Sequence, residues 1–369
     1  MFCVNTLYKR KKIIIISSIF IGQIILFSLL FSFQAVNNFI INYINFPISK
    51  LISNISNVVI LPFGEFFYAF IGIIFLTFLT LILKSIFINR KNLIKRIYQF
   101  LVFLNVIYFI YMLSWGVMYK KETLSFDKSK LVIETKVLKE IYCSDLEKAI
   151  EVRKLISEND SMTTVKFTSN LDDYNKEFLK LQYQLKNEKW LKNYHFLKNP
   201  HYKLSFISSI QNHLGILGYY NPFTVEANLN KFNTDLKQPS TLFHEYGHQM
   251  GFASESEANF LAYYLGTYSQ NPDVRYSIYY KSIFSLLRAI YRSDPYFVKM
   301  ELDNMYPQIT IDRKAEINHY SKYDGKSSEV FSELNNQFLK ANNDEGTISY
   351  SNYIQLVYYL YQTKKAKPN

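Results

Sequence analysis

Cysteine is almost missing from this 369-residue chain: Cys3 and Cys143 are the only two, one on each side of the first long apolar run. A disulfide framework and a cysteine-based zinc site are therefore excluded. Glycine and proline are scarce, at 11 and 9, and neither an internal repeat nor a low-complexity linker interrupts the chain. The formal net charge of +12 comes without a zinc-finger, basic-zipper or other nucleic-acid signature, so nucleic acid is not an expected partner. What is abundant is aromatic and aliphatic: 31 Tyr, 31 Phe and many Ile, beside many Lys and Asn. A membrane accounts for both the charge and the apolar content.

Three runs have the roughly 20 apolar residues that a helix needs to cross a bilayer. They cover about 13–36, 66–87 and 97–118. The first has a basic start but is too long for a signal peptide, and no small-x-small cleavage site follows it, so it reads as a retained helix. Lys9, Arg10, Lys11 and Lys12 precede this span, and Arg90, Lys91, Lys95 and Arg96 lie between the second and third. The connection from Asn37 to Glu65 carries only Lys50. Basic residues collect on the cytoplasmic side, which puts the N-terminus and second loop inside and everything after the third span outside. Lys120 and Lys121 run against that pattern. The 37–65 connection is apolar enough to lie along the interface or to pack on the outer domain.

The chain thus divides into a membrane anchor, 1–118, and an extracytoplasmic domain, 119–369. In the latter, 144–160 and 170–192 read as helices. Residues 216–230 ("ILGYYNPFTVEANLN") read as two short strands or a bent edge strand. From Ser240 the pattern is helical, with breaks near Gly251, Asn271-Pro272, Asp294-Pro295, Pro307 and Asp324-Gly325. The expected fold class is α+β, mostly helical with a small sheet.

The stretch "TLFHEYGHQMGFASESEANF" (241–260) holds the chemistry. Residues four apart on a helix share a face, so His244 and His248 point the same way and can hold one Zn²⁺. Glu245 then lies beside the metal as general base for a zinc-bound water, whose pKa zinc lowers to about 7. Pro239-Ser240 suits a helix start and Gly251 a left-handed stop. The competing reading is an ordinary helix with a chance match.

A catalytic zinc needs a third protein ligand. After Gly251 a second helix begins, in which Ser254 and Glu257 match a Ser-x-x-Glu capping box. At 3.6 residues per turn, Glu255, Ala258, Asn259, Ala262 and Gly266 share a face that is small apart from one carboxylate and one amide. Close packing against a metal-bearing helix would require such a face. Glu255 is the expected third ligand, Glu257 the alternative, and Asn259 a neighbour able to orient a ligand. A metzincin would place a third His three residues beyond the Gly; Ser254 stands there.

His244-Glu245-x-x-His248 followed by Glu255-x-x-Ala258-Asn259 resembles the gluzincin peptidases, in which the first Glu of a Glu-x-x-Ala-Asp/Asn segment is the third zinc ligand. Most of the chain also resembles a family of bacterial membrane proteins catalogued as domain of unknown function 3810. That likeness rests on the N-terminal spans, Trp115-Gly116 at the membrane exit, the segment Gly218–Asn228 and the 244–260 block. It implies a zincin-like metallopeptidase domain with one zinc per chain on a membrane anchor, and names no substrate. The chain departs from the gluzincin pattern at Asn259, where an acid is common.

Among the remaining candidates, "GYYNPFTVEANLN" could pair with an extended substrate or be a plain hairpin, and Glu226 could be a substrate contact but reads rather as a surface charge. His319, Tyr320 and Tyr350 are able to stabilise an oxyanion. His195, His201 and His213 read as surface or core histidines. The stripe Tyr353, Leu356, Val357, Leu360 reads as helix core or membrane-facing surface. The function expected is a multi-pass membrane zinc metallopeptidase acting on a peptide or protein substrate. The alternative is a non-catalytic binding or sensor protein with a structural metal.

Overall fold

Apolar runs and capping residues partition the chain much as expected. The computed structural model describes residues 2–125, 133–157, 162–342, 344 and 349–365. They fall into two units, Met1–Lys121 with Asn221–Val225, and Glu122–Tyr220 with Glu226–Asn369.

The first unit is helical: α1 (Phe2–Leu30), α2 (Gln34–Ile40), α3 (Phe46–Ser56), α4 (Phe63–Phe87) and α5 (Leu93–Ser114). Three segments, Lys11–Leu30, Phe63–Phe87 and Arg90–Ser114, are long and apolar enough to cross a membrane. The first is shorter than expected. Ser32 Oγ donates to the Leu29 carbonyl at 2.7 Å and Phe33 is extended, so residues 31–36 leave the first helix. The third begins earlier and ends at Ser114, followed by a 3-10 turn over Gly116–Lys120. Aromatic edges knit α5 to its neighbours, with Tyr108 5.3 Å from Phe20 and Phe100 5.4 Å from Phe75. The 37–65 connection packs within this unit: Asn45 Nδ2 donates to the Leu113 and Ser114 carbonyls at 2.9 and 2.6 Å. It thereby satisfies acceptors that a helix C-terminus leaves open. Asn221–Val225 forms a turn in which Asn221 Oδ1 accepts from the Phe223 and Thr224 amides. Phe223 lies 5.3 Å from Phe67, ring to ring.

The second unit runs α6 (Thr135–Ile156), α7 (Leu171–Leu181), β1 (Tyr202–Leu204), α8 (Ser208–Leu214), β2 (Gly218–Asn221) and β3 (Glu226–Leu229). It continues through α9 (Gln238–Gln249), α10 (Glu255–Thr267), α11 (Pro272–Tyr291), α12 (Pro295–Asp303), α13 (Pro307–Tyr320), α14 (Lys326–Ala341) and α15 (Ser349–Lys365). The anticipated strands at 216–230 are β2 and β3; their sheet has the order β1-β3-β2, with β1 parallel to β3 in the register Tyr202↔Ala227. The helix expected at 144–160 starts nine residues sooner, at Thr135, and 158–160 lie outside the described residues. The one expected at 170–192 stops at Leu181 and continues as a 3-10 segment to Asn187. There the Gln182 amide pairs with both backbone groups of Leu197 at 2.9 and 3.0 Å.

Helix starts follow local chemistry. Asn170 and Asp173 make a reciprocal capping box on α7. Asn271 caps α11 with Pro272 in the first turn, and Asp294 does the same for α12 before Pro295. The core gathers on α11, which packs on α6, α9, α10, α12 and α15. Tyr142, Phe178, Phe243, Tyr246 and Leu286 are fully buried there. The stripe Tyr353, Leu356, Val357, Leu360 is part of this core. Arg153 and Asp312, both buried, pair at 2.7 Å, and Asp312 also accepts from Tyr276 OH at 2.6 Å and the Val165 amide at 2.7 Å. That cluster ties α6, α11 and α13 together.

Candidate metal centre

Helix α9 runs through the core, with every residue from Pro239 to Gln249 buried. Its end is built by Gly251, whose φ of 99° lies where an L side chain is strained. The Gly251 amide donates to the His248 carbonyl at 2.9 Å and the Phe252 amide to the Gly247 carbonyl at 3.1 Å. These are the paired bonds of a Schellman turn. The turn brings the Phe252 carbonyl back to His248, where it accepts from Nδ1 at 2.7 Å. With its proton on Nδ1, His248 presents the Nε2 lone pair to the other side.

The same turn sends the chain directly into α10. A Cβ built on Gly247 would lie 3.3 Å from Ala258 Cα and 3.4 Å from its Cβ, so glycine facing alanine lets the two helices approach closely. That is the small face anticipated on α10. Across it His244 Nε2 lies 3.0 Å from Glu255 Oε2, His248 Nε2 lies 3.6 Å from the same oxygen, and the two Nε2 atoms are 3.1 Å apart. Donors on a regular tetrahedron about 2.1 Å from a zinc ion are about 3.4 Å apart. The three atoms thus have the spacing of one face of a metal polyhedron, and this group could hold a metal ion.

Electrostatics agree with three Lewis bases crowded together. Burial raises the Glu255 carboxyl, but His248 and His244 outweigh it and hold the group well below the ordinary carboxylate range. Burial also lowers His248, yet Glu255 beside it lifts the ring to about 9. His244 is pushed down to about 4, because there burial wins.

The Glu245 carboxylate also reaches β2: a Cβ on Gly218 would sit 2.9 Å from Glu245 Oε1 and from Thr241 Cγ2. Only glycine at 218 leaves that space. Glu245 is buried, its Oε2 has no hydrogen-bond partner, and burial pushes its carboxyl up to about 8. The Tyr220 ring stands 6.4 Å from that of His248, so β2 runs beside both the trio and Glu245.

Not every expectation holds. Glu257 is not at the trio; its Oε2 accepts from Thr123 Oγ1. The anticipated capping box is absent. Ser254 stands at the N-cap without a side-chain cap bond, and its Oγ pairs with Ser256 Oγ at 2.9 Å. Asp344 instead accepts the Glu255 amide at 3.2 Å, placing a negative charge at the positive end of α10. Asn259, expected to orient a ligand, accepts from Lys281 Nζ at 2.6 Å through Oδ1. The carbonyl of Phe252 orients His248. Glu226 is not a surface charge but buried on β3. His319 Nε2 bonds the Phe232 carbonyl at 2.9 Å, and Tyr320 OH accepts the Thr234 amide at 3.4 Å. Both residues are thus engaged with the segment leading into α9. The side chain of Tyr350 lies outside the described residues. His201 and His213 are exposed and His195 is half-buried.

Phe252, Asp344 and Lys281 are parts of the site that sequence reasoning passed over, and Gly218 was singled out only as the start of a resembling segment. Gly251 was a signal for the Phe252 turn. The others come from segments far apart in sequence and carried none.

A family model described as Protein of unknown function (DUF3810) matches residues 41–358, which include all of these side chains. No curated protein and no solved structure matches the chain.

Proposed function

Starting from a chain that belongs to the DUF3810 family, we propose that it is a membrane-anchored, zinc-dependent metallopeptidase. The observation that carries this reading is the convergence of His244 Nε2, His248 Nε2 and Glu255 Oε2 at 3.0–3.6 Å beside a buried, unpartnered Glu245 oxygen. His244, His248 and Glu255 would hold the ion, and His248 is already oriented by the Phe252 carbonyl. When bound, zinc supplies Lewis acidity, lowering the pKa of a water to about 7 and polarising a carbonyl.

This chain's residues would do the rest. Glu245 takes the proton of the attacking water through Oε2 as the oxygen adds to the peptide carbonyl carbon. It then passes that proton to the nitrogen as the carbon–nitrogen bond breaks, and the water's second proton follows to the amine, leaving a carboxylate and an ammonium. Burial of Glu245 raises its proton affinity toward neutral pH, which suits a group that must both accept and release. Edge strand β2, beside the trio, suits main-chain pairing with an extended peptide or protein segment. Three spans with basic residues before the first and between the second and third support a site on the extracytoplasmic side.

The test is metal content of the full chain in detergent, dialysed against zinc. The expected result is about one zinc per chain, lost in His248→Ala and Glu255→Gln and kept in Glu257→Gln. Glu245→Gln should keep the zinc and lose hydrolysis of a peptide library. Equal hydrolysis by wild type and Glu245→Gln, or none by either, with zinc bound, would favour the non-catalytic binding or sensor protein. A folded wild-type chain that takes up no zinc would end the metal reading.

A further inference from the structure

The amide at position 259 stands where the resemblance leads one to expect an acid, and its partner is a cation on a third helix. Helix α11 is pinned against the start of α9 by Ser277, whose Oγ donates to the Leu236 carbonyl at 2.7 Å and accepts the Ser240 amide at 3.3 Å. On α10, Gly266 gives room to Ile278: a Cβ there would lie 2.9 Å from Ile278 Cδ1. One turn beyond Ser277, these two contacts carry Lys281 to the α10 face that holds Glu255 and Asn259. Lys281 Nζ makes a single hydrogen bond, to Asn259 Oδ1, and no ion pair with any described residue.

We propose that Lys281, mounted on Asn259, is a positioning residue of the metal centre whose positive charge weakens the hold on zinc. This rests on the metallopeptidase reading above. Two carboxylates, Glu245 and Glu255, and one ammonium share the site with the two imidazoles. An Asp at 259 would pair with Lys281 and cancel its charge; an amide binds the ammonium and leaves the charge in place. The charge reaches the site: Asn259, which holds the ammonium at 2.6 Å, stands one helical turn from Glu255 on α10. A fixed cation behind the ligands opposes a second cation at their centre. It also favours negative charge developing there, as it does on a carbonyl oxygen under attack.

The experiment is a competition titration of the full chain in detergent against a chromophoric zinc chelator. Changes behind metal ligands alter affinity by about 10–100-fold. Lys281→Met and Asn259→Asp are each expected to bind zinc about tenfold more tightly than wild type, and the double variant, which leaves the new carboxylate at 259 without its ammonium, more tightly than either. Lys281→Arg should match wild type, because it keeps the charge. A purely structural role predicts the opposite sign, since losing the lysine would loosen α10 and weaken zinc. Thermal unfolding of the metal-free variants separates that case, and Asn259→Asp keeps the test alive if Lys281→Met does not fold. Zinc binding by wild type with neither variant tighter overturns this inference alone. A wild-type chain that takes up no zinc overturns the metallopeptidase reading and this inference together.

Discussion

Replacing Gly251 by alanine tests how the turn after α9 serves the site. At a φ of 99° a side chain in left-handed backbone costs about 1–2 kcal/mol. Alanine's smaller freedom in the unfolded chain returns about 0.4–1 kcal/mol, so the net loss is about 1 kcal/mol. In a unit of this size that lowers the melting temperature by about 2–4 °C. The effect on metal should be larger. Relief of the strain rotates the turn, and the Phe252 carbonyl, 2.7 Å from His248 Nδ1, moves with it. Loss of such a partner costs about 10–100-fold in metal affinity. Thermal unfolding of the zinc-free full chain and competition with a chelator measure the two quantities separately. Gly251→Asn should fall between, since asparagine tolerates left-handed backbone better than alanine. A Gly251→Ala protein that melts within about 1 °C of wild type and binds zinc equally well would refute both the strain argument and the role given to Phe252.

Two further outcomes follow from the core of the same unit. Asp312→Ala leaves the buried guanidinium of Arg153 without its carboxylate and strips a partner from Tyr276 and Val165. About 3–5 kcal/mol of stability should be lost, and denaturant unfolding showing a loss below about 1 kcal/mol would contradict it. Asp145, buried and accepting from Ser282 Oγ at 2.7 Å and Tyr263 OH at 3.0 Å, is pushed up to about 6 chiefly by burial. Its folded pKa exceeds its unfolded one. Its contribution is therefore complete below about pH 4 and is lost as pH rises through about 6, a change of about 3 kcal/mol. Asp145→Asn should remove that component, so the variant gains on wild type between pH 4 and 7. A stability difference that does not change with pH would show the shift to be absent.

Much of this architecture was legible because the signals are local. Apolar runs of bilayer length, Pro272, Pro295 and Pro307 in first turns, and Gly251 at a helix stop act through a few neighbouring residues. The boundaries they imply agree with the helices within a few positions. The errors arose where a remote group intervened. Residues 31–36 looked like a continuation of the first span, but Asn37 Nδ2 bonds the Phe31 carbonyl at 2.9 Å across a break that hydropathy does not register. Ser254 and Glu257 matched a capping box, but Asp344 and Thr123 took the positions that the box would have used.

The sequence by itself determined that His244 and His248 share a face, that Glu255 rather than Glu257 lies on the small face of its helix, and that this helix is small where it meets its neighbour. Helical periodicity decides all three without reference to the rest of the chain. Only the tertiary structure decided that three donor atoms converge to 3.0–3.6 Å, that Gly218 makes room for Glu245, and that Lys281 stands on Asn259. Those facts depend on how β2 and α11 pack against α9 and α10. Packing between distant segments is set by the volumes and hydrogen bonds of many side chains at once, and no short stretch of sequence carries that information.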